Sequence, residues 1–187
     1  MKKILFVLIA TCGYMVSQAQ PGPAAPSTVN VAATLLLNNA LELQVNGDND
    51  FQTASVSGTF NTEEDYENGV VLTQGANFNN LDHLPFSYSS TKNVNITLTT
   101  PATFTGSNGG NNLMPRTVLL YSVLGNTTGG TAPGGFTTVG ATNTIIAGGL
   151  SGPDSQRAFD LYLVANPGFG FPAGTYSMNI MVTATQL

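Results

Sequence analysis

Residue types on which most catalytic and metal sites depend are scarce in this sequence. It contains one cysteine, Cys12, one histidine, His83, and no tryptophan. A metal site built on cysteine and histidine therefore lacks its ligands. Charged residues are 8% of the 187 positions, with ten acidic residues against five basic ones. Because this net negative charge repels phosphate backbones, we predict no nucleic-acid partner.

The first nineteen residues have the layout of a signal peptide. Lys2-Lys3 precedes an apolar run, Ile4–Ala10, that is too short to span a bilayer. Ser17-Gln18-Ala19 then offers small residues where signal peptidase cleaves, so we predict cleavage after this tripeptide. Export would place the protein at the cell surface, outside the cell or in the periplasm. Because Ile9–Cys12 has the outline of a lipoprotein signal, lipidation of Cys12 is the alternative.

Cleavage at that point divides the chain into three predicted segments. Residues 1–19 form the signal peptide, residues 20–27 a proline-rich leader, and residues 28–187 a single domain long enough to bury a sizeable core. The exported chain loses Cys12 and therefore has no internal disulfide. It also contains no long apolar run, which predicts no integral membrane segment.

Composition and periodicity predict an all-β fold. Hydrophobic residues are 42% of the chain, and the polar remainder is mainly Thr, Asn, Ser and Gly, which suit strand surfaces and turns. Alternating apolar positions predict about nine short strands, with Phe86 and Tyr88 starting a further one, and no helix after the signal peptide. The predicted strands span residues 28–37, 41–45, 53–60, 69–73, 94–98, 117–124, 142–147, 159–165 and 176–187.

Three of these strands carry more specific expectations. Thr117–Leu124 is apolar on both faces, which predicts a central place in a sheet. In residues 159–165, Phe159, Leu161 and Leu163 are predicted to point inward. The final strand follows a turn at Pro172 and Gly174. Its apolar positions alternate, which predicts one buried face formed by Tyr176, Met178, Ile180, Val182 and Ala184.

Two regions resemble secreted bacterial pilin-like domains, including spore-coat-U-like and chaperone–usher pilin domains. They are the turn Pro172-Ala173-Gly174-Thr175-Tyr176 with its strand, and the early strand pair 28–37 and 41–45. The resemblance implies an immunoglobulin-like (pilin-like) β-sandwich with Greek-key connections, export from the cytoplasm, and assembly or surface display. The chain departs from chaperone–usher pilins because it lacks their disulfide and has Gln186 where they tend to have Tyr.

The early strand has two interpretations. Residues 28–37 carry Val29, Val31, Ala33, Leu35 and Leu37 on alternate positions. We expect them to form the domain's own first strand, because self-pairing avoids an exposed sheet edge. The alternative is a donor strand that completes another subunit.

The candidate chemical groups do not form a complete set. His83 lies beside Asp82, but no Gly-x-Ser-x-Gly elbow accompanies it, so we interpret it as a loop histidine. Asn46, Asp48 and Asp50 begin like an EF-hand loop, but the pattern breaks at Phe51. The acidic residues of 61–68, namely Glu63, Glu64, Asp65 and Glu67, are likewise predicted to be solvated loop residues, and no spacing favours a glycosidase pair. We therefore predict no catalytic residue, no cofactor and no metal, and a protein that is not an enzyme.

These observations predict an exported, non-enzymatic surface or structural protein. It would be a pilin- or fimbria-like subunit, or a protein related to adhesion, whose partners are copies of itself or other surface subunits. The alternative is an extracellular module that binds glycan or protein through the loops between strands. The absence of tryptophan weakens the glycan alternative, although aromatic rings are supplied by Tyr66, Tyr88, Tyr121 and Tyr162.

Overall fold

A computed structural model of the chain describes residues 35–36, 38–45, 54–74, 81–107 and 113–187. The chain divides into two compact units, Met1–Leu36 and Leu37–Leu187. In the first unit only Leu35 and Leu36 are described, with side chains 82% and 81% exposed. The predicted signal peptide and leader lie outside the described residues, as do most of the strand predicted over 28–37 and the acidic residues Asp48 and Asp50.

The described part of the chain is all-β, as predicted, with one short α-helix and two 3-10 turns, at Arg116–Val118 and Asp154–Gln156. Its strands are β1 (Leu41–Val45), β2 (Val56–Ser57), β3 (Val70–Val71), β4 (Thr73–Gln74), β5 (Leu84–Ser90), β6 (Val94–Thr99), β7 (Thr103–Gly106), β8 (Leu113–Pro115), β9 (Leu119–Leu124), β10 (Thr137–Thr138), β11 (Thr142–Gly149), β12 (Ala158–Ala165), β13 (Tyr176–Ser177) and β14 (Met181–Gln186). The helix, α1, spans Glu63–Asn68.

Two antiparallel sheets form the body of this unit. The larger sheet has the strand order β1-β5-β12-β9-β10, and β3 pairs with the end of β12. The second sheet has the order β11-β6-β14. Two smaller sheets, β13-β7-β8 and β2-β4, accompany them. The immunoglobulin-like Greek-key connection stays a prediction.

The two main sheets share one hydrophobic core. Strands β5 and β6 alternate strictly between buried and half-buried residues, as a strand with one core-facing side must. On β12, Phe159, Leu161 and Leu163 are all buried, which confirms their predicted inward direction. Phe159 stacks on Phe86 of the neighbouring strand at 5.2 Å between ring centroids. The same cluster includes Ile96 of β6, so side chains of both sheets meet in it.

The predicted central position of residues 117–124 is confirmed. A single 3-10 turn at Arg116–Val118 precedes β9, which lies between β12 and β10. Tyr121, Ser122 and Val123 are consecutive and all buried, so both faces of this strand are covered. A strand covered on both faces has no polar face, which explains its continuous apolar run.

The prediction of no helix is wrong at the acidic segment. Thr62 caps α1: its Oγ1 accepts a hydrogen bond from the Asp65 backbone N–H at 3.2 Å. The Asp65 carboxylate accepts from the backbone N–H groups of Asn61 and Thr62 at 2.8 and 2.9 Å. These two hydrogen bonds hold the pKa of Asp65 below its usual value, and the bond from Asn61 has the larger effect. The sequence signal was this capping box, with a Thr three residues before an acidic residue.

Other strand predictions need smaller corrections. Of residues 53–60 only Val56–Ser57 forms a strand, and residues 69–73 divide into β3 and β4. The short strands β7, β8 and β10 were not predicted. They lack the run of alternating residues on which strand prediction depends.

Candidate functional site

The final strand is interrupted. Tyr176–Ser177 pairs with β7, whereas Met181–Gln186 pairs with β6 in a different sheet. Of the five residues predicted to form its buried face, Ile180, Val182 and Ala184 pack against the core, whereas Tyr176 lies in a strand of another sheet. These three residues are only partly buried, however, and residues 178–180 form no strand. The break is the place where the chain leaves one sheet for the other.

A groove lies between the larger sheet and the final segment of the chain. Its volume is about 860 Å³. Leu43 and Val45 of β1 and Phe86 of β5 line one side, and Ile180 and Val182 line the other. The polar side chains that border it include Gln44, Ser55, Asn179 and Thr183. We call this feature the β1–β14 groove; its incomplete filling explains why the inward residues of β14 stay half-buried.

Two strand edges border the β1–β14 groove. In the described part of the chain, β1 pairs only with β5, and β14 pairs only with β6. Each strand therefore has one edge that forms no hydrogen-bonded ladder with a described strand, although β1 and β14 lie close to each other. A sheet edge of this kind offers backbone N–H and C=O groups to a further strand.

A side chain connects the end of β14 to the start of β1. Gln186 Nε2 donates hydrogen bonds to the Ala40 carbonyl at 2.7 Å and to Ser90 Oγ at 3.1 Å. These bonds join the end of β14 to the residue that precedes β1. Gln186 was noted in the sequence only as a departure from the pilin pattern, and here it has a structural role of its own.

His83 has more partners than the sequence indicated. It lies in the loop before β5, as predicted, with Nδ1 2.8 Å from Asp82 Oδ1. Its Nε2 lies 3.8 Å from Asp160 Oδ1, and its ring stacks on Tyr162 at 5.1 Å between centroids. The pKa of Tyr162 is raised, mainly by partial burial of its hydroxyl and to a smaller extent by the negative charges of Asp82 and Asp160. No hydroxyl nucleophile is hydrogen-bonded to His83 among the described residues.

The acidic residues form no metal site in the described ranges. Within them no three His, Cys, Asp or Glu side chains converge as ligands. Glu63, Glu64 and Glu67 lie exposed on α1, and Asp65 is occupied by the helix cap. The two carboxylates next to His83 lie at opposite nitrogens of its ring, so they do not share one coordination point.

Only some of the tyrosines offered for ligand stacking lie near the surface. Tyr88 and Tyr121 are buried in the core, and burial raises the pKa of each hydroxyl. The Tyr88 hydroxyl donates to the Leu150 carbonyl at 2.8 Å. Tyr66, by contrast, belongs to a ring stack with Phe60 and Phe169, each 5.2 Å from it between centroids. Sequence reasoning missed this stack because Phe169 lies more than a hundred residues from Phe60 and Tyr66 along the chain.

Comparison with known proteins yields little. No family model matches the chain, and no curated protein matches it. Among solved structures, a family 123 glycoside hydrolase from Clostridium perfringens, studied for glycolipid glycan hydrolysis, is similar at 16% sequence identity with a TM-score of 0.38. The match covers 79% of this chain and 25% of that one, so the chain spans about a quarter of that enzyme's length.

This comparison contradicts the prediction that the chain is not an enzyme, and we withdraw that prediction. A likeness at a TM-score of 0.38 carries no argument about the activity or substrate of this chain. No helix in the described ranges is long and apolar enough to cross a membrane. The described part of the chain is thus all-β, with a partly filled groove beside its larger sheet.

Proposed function

We propose that the chain is an exported surface or structural protein, a pilin- or fimbria-like subunit that associates with further copies by strand addition. The observation that supports the proposal is the β1–β14 groove. It combines an apolar lining with two strand edges that no described strand occupies. A surface of this kind fits an extended segment whose apolar side chains recur at every second residue.

The chain itself contains a segment with that pattern. Over residues 28–37, apolar residues occupy every second position: Val29, Val31, Ala33, Leu35 and Leu37. The positions between them are Thr28, Asn30, Ala32, Thr34 and Leu36. In the proposed assembly, this segment of one copy enters the groove of the next. Its backbone would pair with a free strand edge, and its apolar side chains would cover the half-buried face of β14. Burial of apolar surface contributes about 25 cal/mol for each Å² removed from water.

The test compares two substitutions that add the same charge to opposite faces of the segment. Val31→Asp places a carboxylate on the apolar face, and Asn30→Asp places one on the polar face. Both are made in the chain that begins at Gln20, and size is measured by light scattering and negative-stain microscopy. We expect oligomers or filaments from the parent chain and from Asn30→Asp. Val31→Asp should stay monomeric, because an unpaired buried charge is costly.

The same variants distinguish the proposal from its rival. A parent chain that is monomeric at every concentration contradicts assembly through the groove. If that monomer is destabilised by Val31→Asp and not by Asn30→Asp, residues 28–37 are the domain's own first strand. That outcome would restore the expectation drawn from the sequence.

A second candidate function is an extracellular module that binds a ligand through its loops. The observation that favours it is the ring stack of Phe60, Tyr66 and Phe169, which leaves Phe169 65% exposed. Aromatic residues that combine a large contact area with restricted motion are common at recognition surfaces. Loss of ligand binding in Phe169→Ala, with assembly unchanged, would support this candidate.

A further inference from the structure

The ring stack forms a continuous aromatic surface. The rings of Tyr66 and Phe169 are nearly parallel, with an interplanar angle of 24°, and Phe60 is tilted at 45° against Tyr66. Phe169 lies in a turn between Gly168 and Gly170, and Gly168 has a φ of +62°, which side-chain-bearing residues rarely adopt. This turn presents Phe169 to solvent, while Tyr66 contacts one face of its ring.

Carboxylates accompany the rings. Tyr66 belongs to α1, where Glu63 lies three residues earlier on the same face and Glu67 follows directly. Glu63, Glu64 and Glu67 are exposed, and none of them forms an ion pair in the described part of the chain. The aromatic–acidic patch, defined as Phe60, Tyr66, Phe169 and Glu63, therefore combines ring faces with uncompensated negative charge, and the exposed Glu67 follows Tyr66 along the helix.

We propose that the aromatic–acidic patch binds the Lys or Arg side chains of a basic segment in a partner protein. The proposal rests on the second candidate function and names the chemistry of its ligand. Ring faces attract cations through the quadrupole of their π-systems. Neighbouring carboxylates add charge complementarity and favour the correct partner over acidic ones. A neutral glycan would satisfy the rings but leave the carboxylates without opposite charge.

The cation is expected from another protein because the arginines of this chain are already occupied. The Arg116 guanidinium donates to the Thr100 and Pro101 carbonyls at 3.1 and 3.2 Å. The Arg157 guanidinium donates to the Ser151 carbonyl from both Nε and Nη2. After loss of the predicted signal peptide, Lys92 is the only other basic residue apart from His83.

The test uses a synthetic peptide that alternates glycine with three lysines, and a matched peptide with glutamine in place of each lysine. Both are titrated into the chain from Gln20 by calorimetry at low salt. We expect the lysine peptide alone to bind, with an affinity that falls as salt rises. Phe169→Ala should weaken binding roughly two- to fivefold, which corresponds to the strength of an exposed cation–π contact. Glu63→Gln should weaken it as well and flatten the salt dependence.

The matched control is Phe136→Ala, because Phe136 is also an exposed phenylalanine, at 56%, and is not part of the ring stack. Its affinity for the lysine peptide should equal that of the parent chain. Equal binding of the two peptides, binding of a neutral oligosaccharide in place of the lysine peptide, or no binding at all would each overturn the proposal. Light scattering on Phe169→Ala keeps this result separate from assembly, which the substitution should not alter.

Discussion

Two isoleucines provide the sharpest test of the β1–β14 groove. Ile96 lies on β6, the middle strand of its sheet, and its side chain is fully buried. Ile180 directly precedes β14, is only partly buried, and lines the groove. Both can be changed to alanine, so the same atoms are removed from two different environments.

The expected costs differ because only one site is closely packed. Truncation of a fully buried isoleucine loses its transfer free energy and leaves a cavity, which together cost about 2–5 kcal/mol. We therefore expect Ile96→Ala to remove a large part of a domain stability that is typically about 5–15 kcal/mol. At Ile180 about two-thirds or more of the transfer term is at stake, but the groove already provides empty volume, so little is added for a new cavity. We expect Ile180→Ala to cost about 1.5 kcal/mol in the monomer, less than Ile96→Ala.

Urea denaturation of the chain from Gln20, followed by circular dichroism, measures both free energies of unfolding. Protein concentration must be kept low enough that assembly does not contribute, since association raises apparent stability. Equal costs for Ile96→Ala and Ile180→Ala would refute the reasoning, because they would mean that Ile180 is packed as closely as the core. At concentrations where copies associate, the cost of Ile180→Ala should rise, as the added strand would complete its burial.

Three further predictions follow from the sequence and from local geometry. N-terminal analysis of the exported protein should begin at Gln20, and a lipid-modified cysteine would contradict this. Gly130→Ala should destabilise the fold by at least 1 kcal/mol in urea denaturation, because a Cβ there would lie 2.6 Å from the Gly149 backbone nitrogen; Gly134→Ala, with nothing within 4 Å, should be nearly neutral. The pKa of Asp65 lies below its ordinary value of 3.8. The ionised carboxylate therefore contributes to folding stability above that value, and this contribution is lost as the pH falls through the lowered pKa. The stability difference between the parent chain and Asp65→Asn should therefore shrink on acidification, and a difference that does not change with pH would count against the capping role.

The strongest sequence predictions concerned strands with strict alternation. Strands β6 and β12 were identified from local pattern, because a period of two specifies both the extended backbone and the buried face, whereas only Phe86 and Tyr88 of β5 were recognised. The acidic segment shows the limit of this approach. Its many acidic residues indicated a solvated loop, whereas the hydrogen bonds between Thr62 and Asp65 make it a helix.

The features that carry the functional proposals depend on contacts between distant residues. The ring stack brings Phe169 against Tyr66, and the contact of His83 with Asp160 brings the loop before β5 next to β12. Local sequence patterns do not predict such contacts, since each residue on its own is an ordinary loop or strand residue. The predicted pilin-like function came from a resemblance, and the experiments on assembly through the β1–β14 groove test it.

By itself, the sequence determined the all-β class, the inward faces of the main strands and the face that the final strand turns to the core. These properties depend on which neighbouring residues are apolar, so they are encoded locally. Only the tertiary structure decided that the final segment divides between two sheets and that β14 and β1 border a groove. Which strands pair depends on packing over the whole domain, because each possible pairing buries a different set of side chains.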